Sequence, residues 1–211
     1  MSELVSADAV FIPDVGTPVI WSARYLKLGG GRRLIGSFNH GSIANAMPQA
    51  IGAQAALPGR QVVTLSGDGG LTMMLGDLIT LQQHELPVKI VVLNNGALAF
   101  VELEMKSAGF PNCGTDLRNP NLADAATALG VRDWRVEHVD QLDAALRAAF
   151  EFPGPALVDV LTARQELSMP PHLTIDETKG FTLFAGRTLL SGRGDELIDL
   201  ARTNVGRMFA S

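Results

Sequence analysis

From residue 9 to residue 161 the chain repeats one pattern. A short, almost unbroken apolar run is followed by a longer stretch with apolar side chains every third or fourth position. The clearest run is Val88-Lys89-Ile90-Val91-Val92-Leu93, which does not alternate and so offers no face to water. Strands of that kind belong in a sheet covered on both sides. Strands are expected at residues 9–12, 61–65, 88–93, 134–136 and 156–161, and helices at 18–28, 44–57, 71–83, 122–129 and 141–150. Leu71, Met74, Leu75, Leu78 and Ile79 form one apolar stripe in the third of these helices. Strand–helix alternation builds right-handed βαβ units, so the expected fold is a single α/β domain with a mostly parallel sheet and helices on both faces. The rhythm stops after Leu161. The expected division is a domain over 1–165 and a C-terminal tail over 166–211, with Pro170-Pro171 near the boundary. Residues 107–120, rich in Gly, Pro, Asn and Asp, read as a long mobile loop.

Composition narrows the function. Hydrophobic residues make up 46% and charged residues 18% of the 211, enough for a real core and too apolar for disorder. The net charge of −5 leaves no basic stripe to neutralise phosphates, so nucleic acid is not an expected partner. The four histidines are scattered without zinc-site spacing. Cys113 is the only cysteine, so no internal disulfide can form and a reducing compartment is expected. No apolar stretch reaches bilayer length, and the opening Met-Ser-Glu-Leu-Val lacks the cationic and apolar regions of a secretory leader.

The chemistry concentrates at two strand ends. Gly67-Asp68-Gly69-Gly70 lies between the expected strand at 61–65 and the helix after it, and Asn94-Asn95 closes the strand at 88–93. In an open parallel sheet, ligands gather beyond the carboxyl ends of the strands, where helix N-termini also point. The glycines let backbone N–H groups approach an anion closely. Asp68 alone would repel a phosphate there, and makes sense only with a cation between them. Magnesium takes six oxygens in near-octahedral geometry. Asp68 can give a carboxylate oxygen, Asn95 a side-chain carbonyl and Ala97 a main-chain carbonyl, with diphosphate and water completing the shell. Gly-Asp-Gly alone is an ordinary turn in a chain with 22 glycines, and so is Asn-Asn; the pair at two strand ends is the specific signal. No GxxxxGK[ST] is present, which removes the P-loop alternative.

These motifs resemble the thiamin-diphosphate signature of the pyruvate oxidase, acetolactate synthase and pyruvate decarboxylase superfamily. Gly36-Ser37-Phe38-Asn39-His40-Gly41-Ser42, residues 46–53 and residues 86–92 are more closely similar to bacterial quinone-dependent pyruvate oxidase. The resemblance covers nearly the whole chain but matches only that enzyme's third, diphosphate-binding domain and its tail. It implies a thiamin-diphosphate-binding fold with magnesium on Asp68, Asn95 and the Ala97 carbonyl. Gly69 and Gly70 would donate to the diphosphate, and Asn95, Gly96, Ala97, Leu98 and Ala99 would wrap it. Gly41, Ser42 and Ile43 would meet the two cofactor rings, with Ile43 as the wedge between them; otherwise Ile43 is an ordinary apolar residue at a helix entrance. Phe100 matches a position near the active centre or is a core aromatic. His40 faces substrate or serves structure. Asp14-Val15-Gly16-Thr17 matches a loop near the diphosphate or caps a helix.

For the whole enzyme the resemblance implies oxidative decarboxylation of pyruvate with electrons passing to FAD and a quinone. FAD is expected only in the full enzyme, because the pyrimidine-binding and FAD domains are not in this chain. The expected partners are therefore those two domains or subunits and further copies of the chain. The isolated chain is expected to be inactive. Two alternatives stay open: a non-catalytic interaction module, and the diphosphate domain of an acetolactate synthase or decarboxylase. In the tail, Leu197, Ile198, Ala201, Val205, Met208 and Phe209 share one helical face. That periodicity fits packing on the domain as well as a lipid surface. By resemblance, the tail of a cytoplasmic protein would dock on the inner face of the cell membrane.

Overall fold

The computed structural model describes residues 1–166 and 174–208. Pro170, Pro171, His172 and Phe209 lie outside the described residues. By internal contacts the chain forms two compact units, one of residues 1–96 and 118–162, the other of residues 97–117 and 163–211. Each is described by itself.

The first unit is a six-stranded sheet in which every pairing is parallel. Its strands are Val10–Pro13 (β1), Arg33–Leu34 (β2), Val62–Gly67 (β3), Lys89–Asn94 (β4), Arg132–Val136 (β5) and Ala156–Leu161 (β6), in the spatial order β2-β1-β3-β4-β6-β5. Its helices are Thr17–Tyr25 (α1), Ala46–Ala56 (α2), Asp68–Met73 (α3), Asp77–Gln83 (α4), Leu122–Ala128 (α6) and Leu142–Glu151 (α7); α5 belongs to the second unit. The expected α/β fold with helices on both faces is what forms. Side chains of the strands sort by parity. Val10, Ile12, Val62, Ile90, Val92 and Leu157 join the core built with α2, α3, α4 and α6. Phe11, Val63 and Leu65 pack on the opposite face, as do Val91 and Val158 in a cluster with α7.

Two elements differ from the sequence reading. The helix expected at 71–83 is two helices, because Met74, Leu75 and Gly76 form a turn and Gly76 then starts α4. The turn resets the phase, so Leu78 and Leu81 are buried while Ile79 is half exposed. The edge strand β2 was not expected, since two residues carry no periodicity.

The strand order places a switch between β1 and β3. The chain leaves β1 toward β2 on one side and returns to β3 on the other. In such sheets a crevice opens beyond the carboxyl ends of the two strands. Asp14 follows β1 there, and Asp68 follows β3.

The second unit holds Ala99–Ser107 (α5), Ile175–Leu190 (α8) and Gly194–Met208 (α9). Its interior is polar. Glu102, 1% exposed, accepts from Thr115 Oγ1 at 2.8 Å and Arg164 at 2.9 Å, and pairs with Lys106 at 3.3 Å. Lys106 lies under the Phe184 ring and bonds Gln165. Thr115 is buried and its carbonyl accepts from Leu98 N–H, so part of the expected loop is tied down inside this unit. On α9, Leu197 and Leu200 are half-buried and Asn204 is buried against the Gln165 carbonyl, while Ile198 and Ala201 are exposed. The side chains of Val205 and Met208 are outside the described set. No described helix is long and apolar enough to cross a membrane.

Candidate functional site

β3 ends at Gly67, whose extended backbone turns the chain directly into α3. Asp68 is the first residue of that helix and is only 2% exposed. Its Oδ2 accepts from Gly96 N–H at 2.9 Å and from Asn119 Nδ2 at 2.6 Å. Burial pushes the Asp68 carboxyl above the usual carboxylate range, while Asn119, Gly96 and Gly69 pull it back. Among the described residues it pairs with no Lys or Arg. A carboxylate so placed favours any cation that can reach it.

Next to it, β4 ends on Asn94, which is buried and donates through Nδ2 to Asp159 Oδ1 at 2.9 Å. Asp159 is fully buried in β6, and its register partner across β5 is Arg135, which donates to Asp159 Oδ2 at 2.6 Å. Asn95 is half-buried one step beyond the strand, and Gly96 turns there with φ 68°. Thus Asp68, Asn95 and Gly96 come together at adjacent strand ends. Ala97, Leu98, Ala99 and Phe100 belong to the second unit. There Ala97 is buried and bridges Asp116, and Phe100 is half-buried in the first turn of α5.

The β1 side carries a second buried carboxylate. Asp14 is 1% exposed, and burial raises its carboxyl against the pull of its donors. Its Oδ1 accepts from Val15 N–H, Asn45 N–H and Asn45 Nδ2 at 2.9, 3.1 and 3.0 Å. It does not cap α1: that helix starts on Gly16 with no side-chain cap. Asp14 instead holds the entrance of α2. It also lies against Gly70, where an added Cβ would come within 1.9 Å of Oδ2. Gly69 and Gly70 are both buried.

The loop 36–45 ends against Asp14. Gly41 has φ 59° and Ala44 φ 67°, the latter a left-handed conformation that costs a residue with a side chain roughly 1–2 kcal/mol. Gly41 N–H and Ser42 N–H bond Ser37 backbone and side-chain oxygens, and the Ser42 carbonyl accepts from Asn45. Gly41 and Ser42 are exposed, with Ile43 at 40% and Phe38 at 55%. The loop is pinned at its end on Asp14 and presents apolar side chains outward.

Sequence reading missed Asn119, Asn45 and Asp159. For Asp159 a signal exists: it is the one charge in the apolar run Ala-Leu-Val-Asp-Val-Leu of β6, so it needs a buried partner.

A carboxylate, a carboxamide and close backbone at neighbouring strand ends are the oxygen and N–H groups that a magnesium diphosphate would take. The Asp68 carboxyl is buried and, among the described residues, without a paired ammonium or guanidinium. Gly67 leaves its Cβ direction open, so backbone can approach a ligand.

Comparison with known proteins points the same way. The family described as thiamine pyrophosphate enzyme, C-terminal TPP binding domain, matches residues 14–160. A putative thiamine pyrophosphate-containing protein of Bacillus subtilis (strain 168), YdaP, is 30% identical over 203 residues, 96% of this chain and 35% of that protein. Chloroplastic acetolactate synthase 1 of Nicotiana tabacum is 35% identical over 179 residues, 81% of this chain and 27% of that enzyme. The acetolactate synthase large subunit of Porphyra purpurea is 31% identical over 169 residues, covering 79% and 28%. The chain spans about a third or less of the length of these relatives.

Proposed function

The chain belongs to the thiamine pyrophosphate enzyme family, as its C-terminal cofactor-binding domain, and from that premise we propose that it anchors the cofactor diphosphate through magnesium in a pyruvate oxidase-like enzyme. The observation that carries the anchor is the buried Asp68 carboxylate, with no Lys or Arg partner among the described residues, beside Asn94-Asn95 at neighbouring strand ends. Asp68 and Asn95 would hold the metal. The Ala97 carbonyl enters the ligand set on the resemblance alone. When bound, thiamin diphosphate would supply a nucleophilic carbon for 2-oxo acid chemistry. This chain's residues bind and orient. Asp68 neutralises the cation, Gly69 and Gly70 bring backbone close to the diphosphate, and the exposed Ile43 supports the cofactor rings.

The oxidase reading rests on the Gly36-Ser37-Phe38-Asn39-His40-Gly41-Ser42 segment and on the tail. Similarity to the Bacillus protein runs over 96% of the chain, whereas similarity to the acetolactate synthases covers about four fifths. Acetolactate synthase chemistry is the second reading, favoured by those same relatives. In either case the pyrimidine-binding partner must come from elsewhere, and exposed Phe38 and Ile43 offer it an apolar surface. FAD and quinone belong to the oxidase reading and to domains outside this chain. Exposed Leu183, Leu189 and Leu190 on α8 support a tail that meets another surface, which the oxidase reading makes the cytoplasmic face of the membrane.

A melting scan with magnesium and thiamin diphosphate tests the anchor. Ligand at a hundred times its dissociation constant should stabilise wild type by about 2.7 kcal/mol, and Asp68→Ala should show no shift. Equal shifts in both would sink the proposal. Adding the missing domains and assaying pyruvate for dye reduction against acetolactate then separates the two chemistries.

A further inference from the structure

Asn119 lies in the segment that leads into α6, far from either motif in sequence. Its Nδ2 donates to Asp68 Oδ2 at 2.6 Å and reaches Asn94 Oδ1 at 3.4 Å. It therefore touches both strand ends at once. The backbone that carries it is stiff for reasons written in three consecutive residues. Asn121 caps α6, its side chain accepting from Ala123 and Asp124 N–H at 3.0 and 3.3 Å. Pro120 fixes its own φ and confines Asn119 to extended backbone. Arg135 Nη1 also donates to Asn121 Oδ1 at 3.3 Å, so the cap is joined to β5.

The bonds then close into a chain. Asp68 is held by Asn119, Asn119 meets Asn94, Asn94 donates to Asp159, and Asp159 is paired with Arg135. The ends of β3 and β4 are thereby linked through side chains to the C-terminal halves of β5 and β6, with Asp159 and Asp68 almost wholly buried. A buried carboxylate needs hydrogen-bond donors, and Asn119 brings one from a third segment of the chain. Removing a hydrogen-bond partner that orients a metal ligand typically costs about 10–100-fold in metal affinity.

We propose that Asn119 is a positioning residue of the cation site, holding Asp68 Oδ2 with the Gly96 N–H so that the carboxylate is oriented before the metal arrives. This deepens the magnesium reading and rests on it. The residue does not ligate; it acts through Asp68.

The test uses Mn2+ as the probe, with thiamin diphosphate in excess, and follows Mn2+ uptake by paramagnetic resonance. Asn119→Ala should weaken Mn2+ binding by about tenfold or more. Asn119→Asp supplies the discriminating readout, because it sets a second carboxylate against Asp68. Without cation its melting temperature should fall; with Mn2+ much of the loss should return, so its Mn2+-induced shift exceeds that of wild type. A residue serving structure alone would lower both melts equally. Unchanged Mn2+ affinity in Asn119→Ala, or equal losses with and without Mn2+ in Asn119→Asp, overturns the inference. Wild type that takes up no Mn2+ overturns the magnesium reading and this inference together, so the two failures are distinguishable.

Discussion

Gly70→Ala puts two rules in opposition. Gly70 sits inside α3, where alanine should be better by up to about 1 kcal/mol on helix propensity alone. The added methyl, however, would stand 1.9 Å from Asp14 Oδ2 and 2.9 Å from its Cγ. Ordinary contact begins at 3.4 Å, so the carboxylate must retreat by about 1.5 Å. It has little room to do so, being 1% exposed with its other oxygen held by Val15 and Asn45. Losing one such bond to a charged group costs about 1.5–3 kcal/mol, and overpacking adds about 1–3 kcal/mol. Against the propensity gain, the net destabilisation is about 1.5–5 kcal/mol. At roughly 2–4 °C per kcal/mol for a chain this size, the melting temperature should drop by about 3–20 °C. The assay is urea and thermal denaturation of the single variant, of Asp14→Ala, and of the double variant. Once Asp14 is truncated the methyl has space, so Gly70→Ala should be neutral or stabilising in that background. The reasoning is refuted if Gly70→Ala stabilises the wild type, or costs as much without the Asp14 carboxylate as with it.

Two other expectations follow from buried contacts. Lys89, 4% exposed in β4, donates to the Phe152 carbonyl and, at 2.7 Å, to the Gly154 carbonyl, and burial pulls its pKa from 10.5 to about 8. Between those values the unfolded chain binds the extra proton, so this group makes stability rise with pH, by on the order of 2–3 kcal/mol from pH 7.5 to 10.5. Urea titrations of Lys89→Met should show that rise flattened; parallel profiles for variant and wild type would contradict it. In the second unit, a Cβ at Gly180 would lie 1.6 Å from the Ser107 carbonyl oxygen, a backbone atom that cannot rotate away. Gly180→Ala should cost α8 more than about 2 kcal/mol of local stability. Amide exchange over residues 175–190 measures this, and unchanged protection would count against it.

How much was legible in the sequence follows from range. Continuous apolar runs announced β1, β3, β4 and β6, because burial on both faces leaves its mark residue by residue. β5 showed only its last three positions, since at the sheet edge Arg132 and Asp133 break the run. The turn inside residues 71–83 was hidden because the apolar residues on both sides happen to keep helical spacing. Asp68 and Asn95 were found because their chemistry is local to two strand ends. Asn119, Asn45 and Asp14 were not assigned their contacts, because what matters is which distant side chain each one faces. No spacing along the chain says that the asparagine before Pro120, rather than Asn112 or Asn121, reaches Asp68.

The two margins of the sheet have a consequence for assembly. One margin is the two-residue β2, with Arg33 exposed, and the other is β5 with Arg132, Asp133 and Arg135 along it. A short strand gives an incoming strand too little ladder to grip, and charged side chains penalise apolar stacking beside it. Both margins therefore disfavour lengthening of the sheet by another chain. Any association would then favour side-chain contacts, helix to helix or loop to loop, which single surface substitutions can tune without touching the hydrogen-bonded scaffold.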